Sequence, residues 1–183
     1  MIITRHNSTF SLLRAPFTLG AICFLALCST ASALVPSTIY VSAGDFASPY
    51  YSFYENSDLT GLLDIATGGS ESLLTSETYT FIKDSSSHPF YISDQGYNAQ
   101  SSTFNITLGG DGSPTSGIRG GESLTLSFNN FNAETDTLSY YCSSHSSMLS
   151  SFNVAAVPES SSYAAVFGLL GLSIALARRK IRH

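Results

Sequence analysis

Short runs in which apolar and polar residues alternate recur through the middle of this 183-residue chain. Alternation with a period of two is the pattern of a β-strand that buries one face. Glycine pairs and an Asn-Asn pair separate the runs, and no helical periodicity competes with them. The sequence therefore predicts an all-β fold, a Greek-key β-sandwich of eight short strands. The predicted strands are Thr38–Ser42, Tyr50–Tyr54, Thr78–Ile82, Phe90–Ser93, Thr103–Leu108, Ser123–Phe128, Thr137–Tyr141 and Ser151–Val154.

Two neighbouring tyrosines give a specific expectation for one of these strands. Tyr140 and Tyr141 are consecutive in the Thr137–Tyr141 run. Consecutive side chains of a strand point to opposite faces of the sheet. We therefore expect one of the two rings to lie in the core and the other to face solvent.

The first 33 residues have the three parts of a signal peptide. A basic start without acidic residues precedes the short apolar stretch Ala15–Cys28, and Ala31–Ala33 is an A-x-A cleavage site. The apolar stretch is short for a membrane span, so a buried or membrane helix is the weaker interpretation. A lipoprotein signal at Cys28 is a further alternative, although Leu27 is bulky where a small residue is expected.

Residues 157–183 form a second targeting segment. Val157–Glu159 leads into the apolar stretch Tyr163–Ala177, and the chain ends in a basic cluster. These features resemble the PEP-CTERM sorting signal of Gram-negative bacteria, with Ser160 in place of the usual second proline. The resemblance implies a membrane anchor whose basic end stays in the cytoplasm, and processing by an exosortase-type protease. A plain membrane anchor is the alternative.

The folded domain is predicted between these two segments, at residues 34–156. From residue 34 to residue 157 the chain has twelve Asp and Glu residues, whereas Lys83 and Arg119 are its only basic residues. Nucleic-acid binding requires a basic surface, so this charge excludes nucleic acid as a partner. The same charge favours solubility and a basic protein partner.

The predicted domain contains one cysteine and one methionine, and both lie close to a histidine in the segment YYCSSHSSM. Cys142, His145 and Met148 are spaced three residues apart, and the other histidine of the domain is His88. The two remaining cysteines leave with the predicted signal peptide, so Cys142 has no disulfide partner, although exported proteins usually pair their thiols. One Cys, two His and one Met are the ligands of a mononuclear blue-copper site.

These ligand types suit one-electron chemistry at a single copper ion per chain. A thiolate and two imidazoles form a trigonal plane that accepts both Cu(I) and Cu(II), and a weak axial thioether favours the reduced state. A tight loop after a strand can turn Cys142, His145 and Met148 towards one point. His88 then has to come from a different strand edge, across the sandwich.

The order of these residues resembles the cupredoxin family, which includes plastocyanin and amicyanin. His88 followed by a strand, and then the Tyr-x-Cys-x-x-His-x-x-Met pattern of Tyr140–Met148, carry a resemblance that extends over Thr78–Val154. It implies one-electron transfer with an unknown redox partner through four copper ligands: His88, Cys142, His145 and Met148.

One position departs from the family pattern. In plastocyanin-like members the upstream ligand histidine is usually followed by asparagine, whose backbone N–H helps to hold the cysteine sulfur. Here the residue after His88 is Pro89, which has no N–H. Hydrogen bonds around a ligand tune the metal, so we expect an altered reduction potential, with the donor either replaced from elsewhere or missing.

Each of the four donors also has a simpler interpretation when it is taken alone. His88 would be a turn residue, Cys142 a small buried hydrophobic residue and Met148 a filler of the core. Zinc would fit the same pocket, although it is less suited to a thioether ligand. Without a metal the domain would be a structural or adhesive surface domain, and copper storage or delivery is intermediate between these functions.

The sequence gives little support to an enzyme. The predicted domain lacks further histidines for additional copper centres, and it has no Gly-x-Ser-x-Gly, phosphate-loop or HExxH motif. Its Asp and Glu residues are better explained as a solvated acidic surface than as an acid–base pair. We therefore expect a non-enzymatic protein that is exported to the periplasm, anchored in the envelope or displayed on the extracellular surface of a Gram-negative bacterium.

Overall fold

A computed structural model describes residues 34–44 and 46–157 of the chain. The predicted signal peptide, residues 1–33, and the predicted sorting segment beyond Val157 lie outside these residues. Within the two described ranges the chain forms eleven β-strands and no α-helix. No helix in this part of the chain is long and apolar enough to cross a membrane. The predicted all-β class is confirmed.

The longer strands bury alternate side chains, as the sequence pattern predicts. In β1, β5 and β8 alternate positions are buried, and the intervening positions, most of which are Ser or Thr, are more exposed. The strands are β1 (Thr38–Ala43), β2 (Tyr51–Tyr54), β3 (Leu62–Leu63), β4 (Leu73–Leu74), β5 (Thr78–Lys83), β6 (Phe90–Ser93), β7 (Ile106–Gly110), β8 (Ser123–Phe128), β9 (Ser139–Cys142), β10 (His145–Ser151) and β11 (Val154–Ala155).

Two main sheets are built from these strands. The six-stranded sheet has the order β3-β2-β1-β5-β8-β7, and the three-stranded sheet has the order β10-β9-β6. Strands β7 and β8 form a hairpin in the large sheet, whereas β6 and β9, which flank them in sequence, pair in the small sheet. This crossing between sheets is the Greek-key connection of a β-sandwich. A separate parallel pair joins β11 to β4.

Aromatic rings fill the space between the two main sheets. Phe53 and Phe81 project from the large sheet, and Phe90 and Tyr140 project from the small one. The ring centroids of Phe53 and Tyr140 are 5.2 Å apart, and those of Phe81 and Phe90 are 5.8 Å apart. Phe152 closes the cluster at 4.6 Å from Tyr140. Aromatic pairs at such distances add packing energy beyond the area that they bury.

Three predicted strands are displaced along the sequence. The run predicted at Thr137–Tyr141 forms β9, which begins at Ser139 and ends at Cys142. The run predicted to begin at Thr103 becomes a strand only at Ile106, because the amides of Asn105 and Ile106 both donate to Ser102 in a turn. The last predicted strand is wrong in position. Of the predicted strand Ser151–Val154, β10 includes only Ser151. Asn153 leaves the sheet because its side chain forms hydrogen bonds with the backbone of residues 68–71.

The expectation of one buried and one exposed tyrosine is wrong, since Tyr140 and Tyr141 are both completely buried. The two rings do point to opposite faces, but the outer face of the small sheet is covered. Tyr91 and Tyr97 pack against the Tyr141 ring, and the Tyr141 hydroxyl donates to the carbonyl of Pro114.

A lysine without any exposed surface lies at the end of β5. The Lys83 ammonium forms an ion pair with Asp84 and donates to the Ser85 hydroxyl. Ser42 on β1 donates to the same carboxylate at 2.8 Å. Burial raises the pKa of Asp84, but the hydrogen bonds from Lys83, Ser42 and Ser85 more than offset it, so the pKa of Asp84 is lower than usual.

We predict that replacing Asp84 with Asn lowers the free energy of unfolding by about 3 kcal/mol at pH 7, because the buried Lys83 loses its charge partner. The pKa of Asp84 is lowered on folding. Its contribution is therefore complete above about pH 4, the value for an unfolded Asp, and is lost as the pH falls through the lower folded value. Urea unfolding of the full-length chain at several pH values measures both effects.

Glu134→Gln is the matched control, because Glu134 is exposed. It should change the unfolding free energy by less than about 0.5 kcal/mol. Equal unfolding midpoints for the two variants at pH 7 would show that the ion pair of Lys83 does not stabilise the fold.

Candidate metal centre

A tight hairpin brings Cys142 and His145 together. Cys142 is the last residue of β9 and His145 is the first residue of β10, and the two face each other as a register pair. Ser143 and Ser144 form the turn between them. The Cys142 side chain is completely buried and is not in a disulfide. The thiol is therefore held at the C-terminal end of β9, the central strand of the small sheet.

His88 reaches the same place from the connection between β5 and β6. Its backbone adopts the left-handed conformation, with φ at 47°, which costs an L-residue about 1–2 kcal/mol. The amide of Ser143 donates to the carbonyl of Pro89 at 3.0 Å, which ties the hairpin turn to this connection. Gly117 packs closely on the other side, where a Cβ would come within 2.9 Å of Pro89.

The three donor atoms form a compact triangle. The His88 Nδ1 and His145 Nδ1 atoms are 3.2 Å apart, and the Cys142 Sγ atom is 3.9 Å and 3.4 Å from them, respectively. A point equidistant from the three atoms lies about 2 Å from each, close to the metal–nitrogen and metal–thiolate bond lengths of protein zinc sites. His88, Cys142 and His145 therefore form a group that could hold a metal ion.

The donors differ in their exposure to solvent. Cys142 is buried, His88 is half-buried and His145 is exposed. Phe46, which is 62% exposed, packs edge-on against both imidazoles, with ring centroids 5.4 Å from His88 and 5.2 Å from His145. The thiol is thus shielded from solvent, whereas the imidazoles are closer to the surface, where Phe46 packs against both.

Met148, the fourth predicted ligand, lies on the same strand as His145 and is completely buried. The expected tight turn follows β9 and brings Cys142 and His145 together. Met148 lies beyond that turn, within β10. The register of β10 against β9 shifts between His145 and Leu149, and such an irregularity re-aims side chains. The group of donors that the structure brings together comprises His88, Cys142 and His145, and the role of Met148 as a ligand stays a prediction.

Two residues beside the centre were not found from the sequence. Phe46 lies in a turn without a regular pattern, so nothing in the sequence marks it. Tyr51 belongs to the predicted YYSFY strand, which identifies it as a core residue only. Its hydroxyl donates to the carbonyl of His88 at 2.9 Å. Burial and the neighbouring Cys142 side chain both raise the pKa of Tyr51, so its hydroxyl stays protonated.

Comparison with known proteins gives no relative. No protein-family model matches the chain, and no curated protein or solved structure matches it. The all-β fold and the group of metal-binding side chains are compatible with the cupredoxin resemblance.

We predict that Cys142→Ser weakens the binding of Co(II) to the full-length chain by at least about 100-fold. Substitutions of residues that merely orient metal ligands cost 10–100-fold in affinity, and loss of the thiolate itself should cost no less. Titration followed by absorbance measures the affinity. Ser147→Ala, an exposed change on β10, is the control and should bind like the wild type. Equal affinities for the wild type and Cys142→Ser would rule out Cys142 as a ligand.

Phe46→Ala should speed the release of bound metal to a chelator. Each edge-to-face contact contributes about 0.5–1.5 kcal/mol, so loss of both contacts should accelerate release by roughly tenfold. The matched control is Phe104→Ala, because Phe104 is similarly exposed, at 69%, and contacts neither imidazole ring. Stopped-flow release rates that are the same for both variants would contradict a covering role for Phe46.

Proposed function

We propose that this chain is an exported copper protein that transfers single electrons, with His88, Cys142, His145 and Met148 as its copper ligands. The observation that carries the proposal is the triangle of one thiol sulfur and two imidazole nitrogens, at 3.2–3.9 Å from one another. Met148 follows on the same strand and points away from solvent.

The chemistry of the donor set favours copper over zinc. Thiolate and thioether are soft ligands that suit Cu(I), and imidazole accepts either copper oxidation state. A structural zinc site usually has four nitrogen, thiolate or carboxylate ligands, and a thioether adds little to such a site. When bound, copper would supply a one-electron Cu(I)/Cu(II) couple.

The protein contributes fixed ligand positions and a route to its surface. Cys142 is the last residue of β9, the central strand of the small sheet, in which all four residues are buried and Tyr140 packs among aromatic rings. Side chains fixed in this way change little between oxidation states, which lowers the barrier to electron transfer. His145 is the exposed ligand and lies where a partner protein can approach.

Acidic side chains support the proposal that the protein is not an enzyme. Several Asp carboxylates accept hydrogen bonds from backbone amides, and this is a structural use of the group. The carboxylate and amide pairs are Asp64 with Ser70, Asp94 with Ser102, Asp111 with Ser123 and Asp136 with Asn132.

Export, anchoring and the redox partner complete the proposal. The features of residues 1–33 and 157–183 support export and attachment to the envelope, with processing by an exosortase-type protease. The excess of acidic over basic residues in the domain supports a partner with a basic surface. Binding to such a partner should weaken as the salt concentration rises.

A second candidate function is a metal-free or copper-storing surface domain. The observation that favours it is Pro89, which removes a backbone N–H beside the candidate centre. The aromatic pairs between the sheets are made by side chains that are not candidate ligands, so the fold has a basis of stability apart from metal.

The first experiment is a visible absorption spectrum of the purified full-length chain with one equivalent of Cu(II). We expect an intense blue band from thiolate-to-copper charge transfer. Cys142→Ala and His145→Ala should abolish the band, whereas Ser147→Ala should leave it unchanged. A colourless protein that folds equally well with and without copper would overturn the electron-transfer proposal and favour the displayed β-sandwich.

A further inference from the structure

Tyr51 is a buried residue of β2 that lies directly under the candidate metal centre. Its side chain is 2% exposed, and its ring packs edge-on against Phe90 at 5.1 Å and against Tyr140 at 6.1 Å. A phenylalanine would fill the same space. The hydroxyl therefore needs an explanation of its own, because burying it without a hydrogen bond is unfavourable.

The Tyr51 hydroxyl is directed at the segment that carries His88. It lies 2.9 Å from the His88 carbonyl oxygen and 3.3 Å from that of Pro89. One phenol thus contacts both backbone carbonyls of the His88–Pro89 segment, in the β5–β6 connection.

The backbone of this segment requires support. His88 has a positive φ of 47°, and a residue before proline prefers an extended conformation. Pro89 has no N–H to donate, so these two residues are fixed through their carbonyl oxygens. The Pro89 carbonyl accepts from the Ser143 amide and the His88 carbonyl accepts from Tyr51.

We propose that Tyr51 is a positioning residue for the metal centre, whose hydroxyl holds the His88–Pro89 segment so that the His88 Nδ1 atom faces the Cys142 sulfur. The proposal rests on the proposed function in one respect, that the three donors bind a metal. Tyr51 itself is not a ligand. It acts through the His88 carbonyl and takes over the anchoring of a segment that lacks the amide at residue 89.

The variant that tests the proposal is Tyr51→Phe, and Tyr140→Phe is its matched control. Both tyrosines are completely or almost completely buried in the same aromatic cluster, and both hydroxyls donate to a backbone carbonyl. The acceptor of Tyr140 is Pro49, at 3.0 Å, which carries no candidate ligand. The two changes therefore remove the same group from the same core.

Metal affinity is the first measurement, with Co(II) and then Cu(I) added to the full-length chain. We expect Tyr51→Phe to weaken binding by about tenfold, as for other residues that orient a ligand, and Tyr140→Phe to leave it within about twofold. The urea midpoint of each metal-free variant is measured alongside. A loss of affinity that is equal in the two variants would overturn the proposal.

Hydrogen–deuterium exchange of the metal-free chain is the second measurement, and it does not depend on copper. Tyr51→Phe should speed exchange in peptides that contain residues 85–90 and the Ser143 amide, whereas Tyr140→Phe should not. Unchanged exchange in Tyr51→Phe would overturn the proposal even if the affinity fell. If the wild type gives no blue copper band but exchange responds as expected, the copper function fails and the positioning role of Tyr51 stands.

Discussion

The pairing of β6 with β9 is the constraint on which the candidate centre depends. Its register sets Phe90 opposite Cys142, and the hydrogen bond from the Ser143 amide to Pro89 extends the ladder beyond the strands. His88 thereby comes to lie beside a cysteine that is 54 residues away in sequence. The rings of Phe90 and Tyr140 lock this register in the core, because a shift by one residue would turn them out of it. The pairing of these strands therefore brings the donors together.

Much of the fold follows from the sequence because alternation and turn residues are local signals. β1, β5, β6 and β8 lie where the pattern predicts them, within a residue at their ends. β3 and β4 were missed, since strands of two residues carry no periodicity. β10 was also missed except for Ser151, because only one of its seven residues, Met148, is fully buried. The burial of Tyr141 was also missed, because it depends on Tyr91 and Tyr97 covering the outer face of the small sheet. The residue pattern of a single strand cannot predict which distant residues will pack on its outer face.

The donors of the candidate centre were predictable from the sequence, whereas the residues that support them were not. Residue types identified His88, Cys142 and His145, because a domain with so few soft donors leaves little choice. The contacts that support these donors were not predictable, since Tyr51 looks like any core tyrosine and the conformation of His88 has no sequence signal.

The number of basic residues in the sequence also overstates the positive charge at the surface. Lys83 is buried against Asp84, so Arg119 is the basic side chain that the described residues expose.

The loop that carries His88 combines two kinds of anchor, and this combination explains how it tolerates Pro89. At its start, Lys83 bonds Ser85, which in turn bonds Ser87. At its end, Tyr51 and Ser143 hold the two carbonyls around the proline. A proline restricts the backbone of its own residue and of the one before it. The loop therefore lacks one amide donor but is more rigid. Because the His88 imidazole is fixed in this way beside a buried thiol, it needs little rearrangement to bind a metal ion.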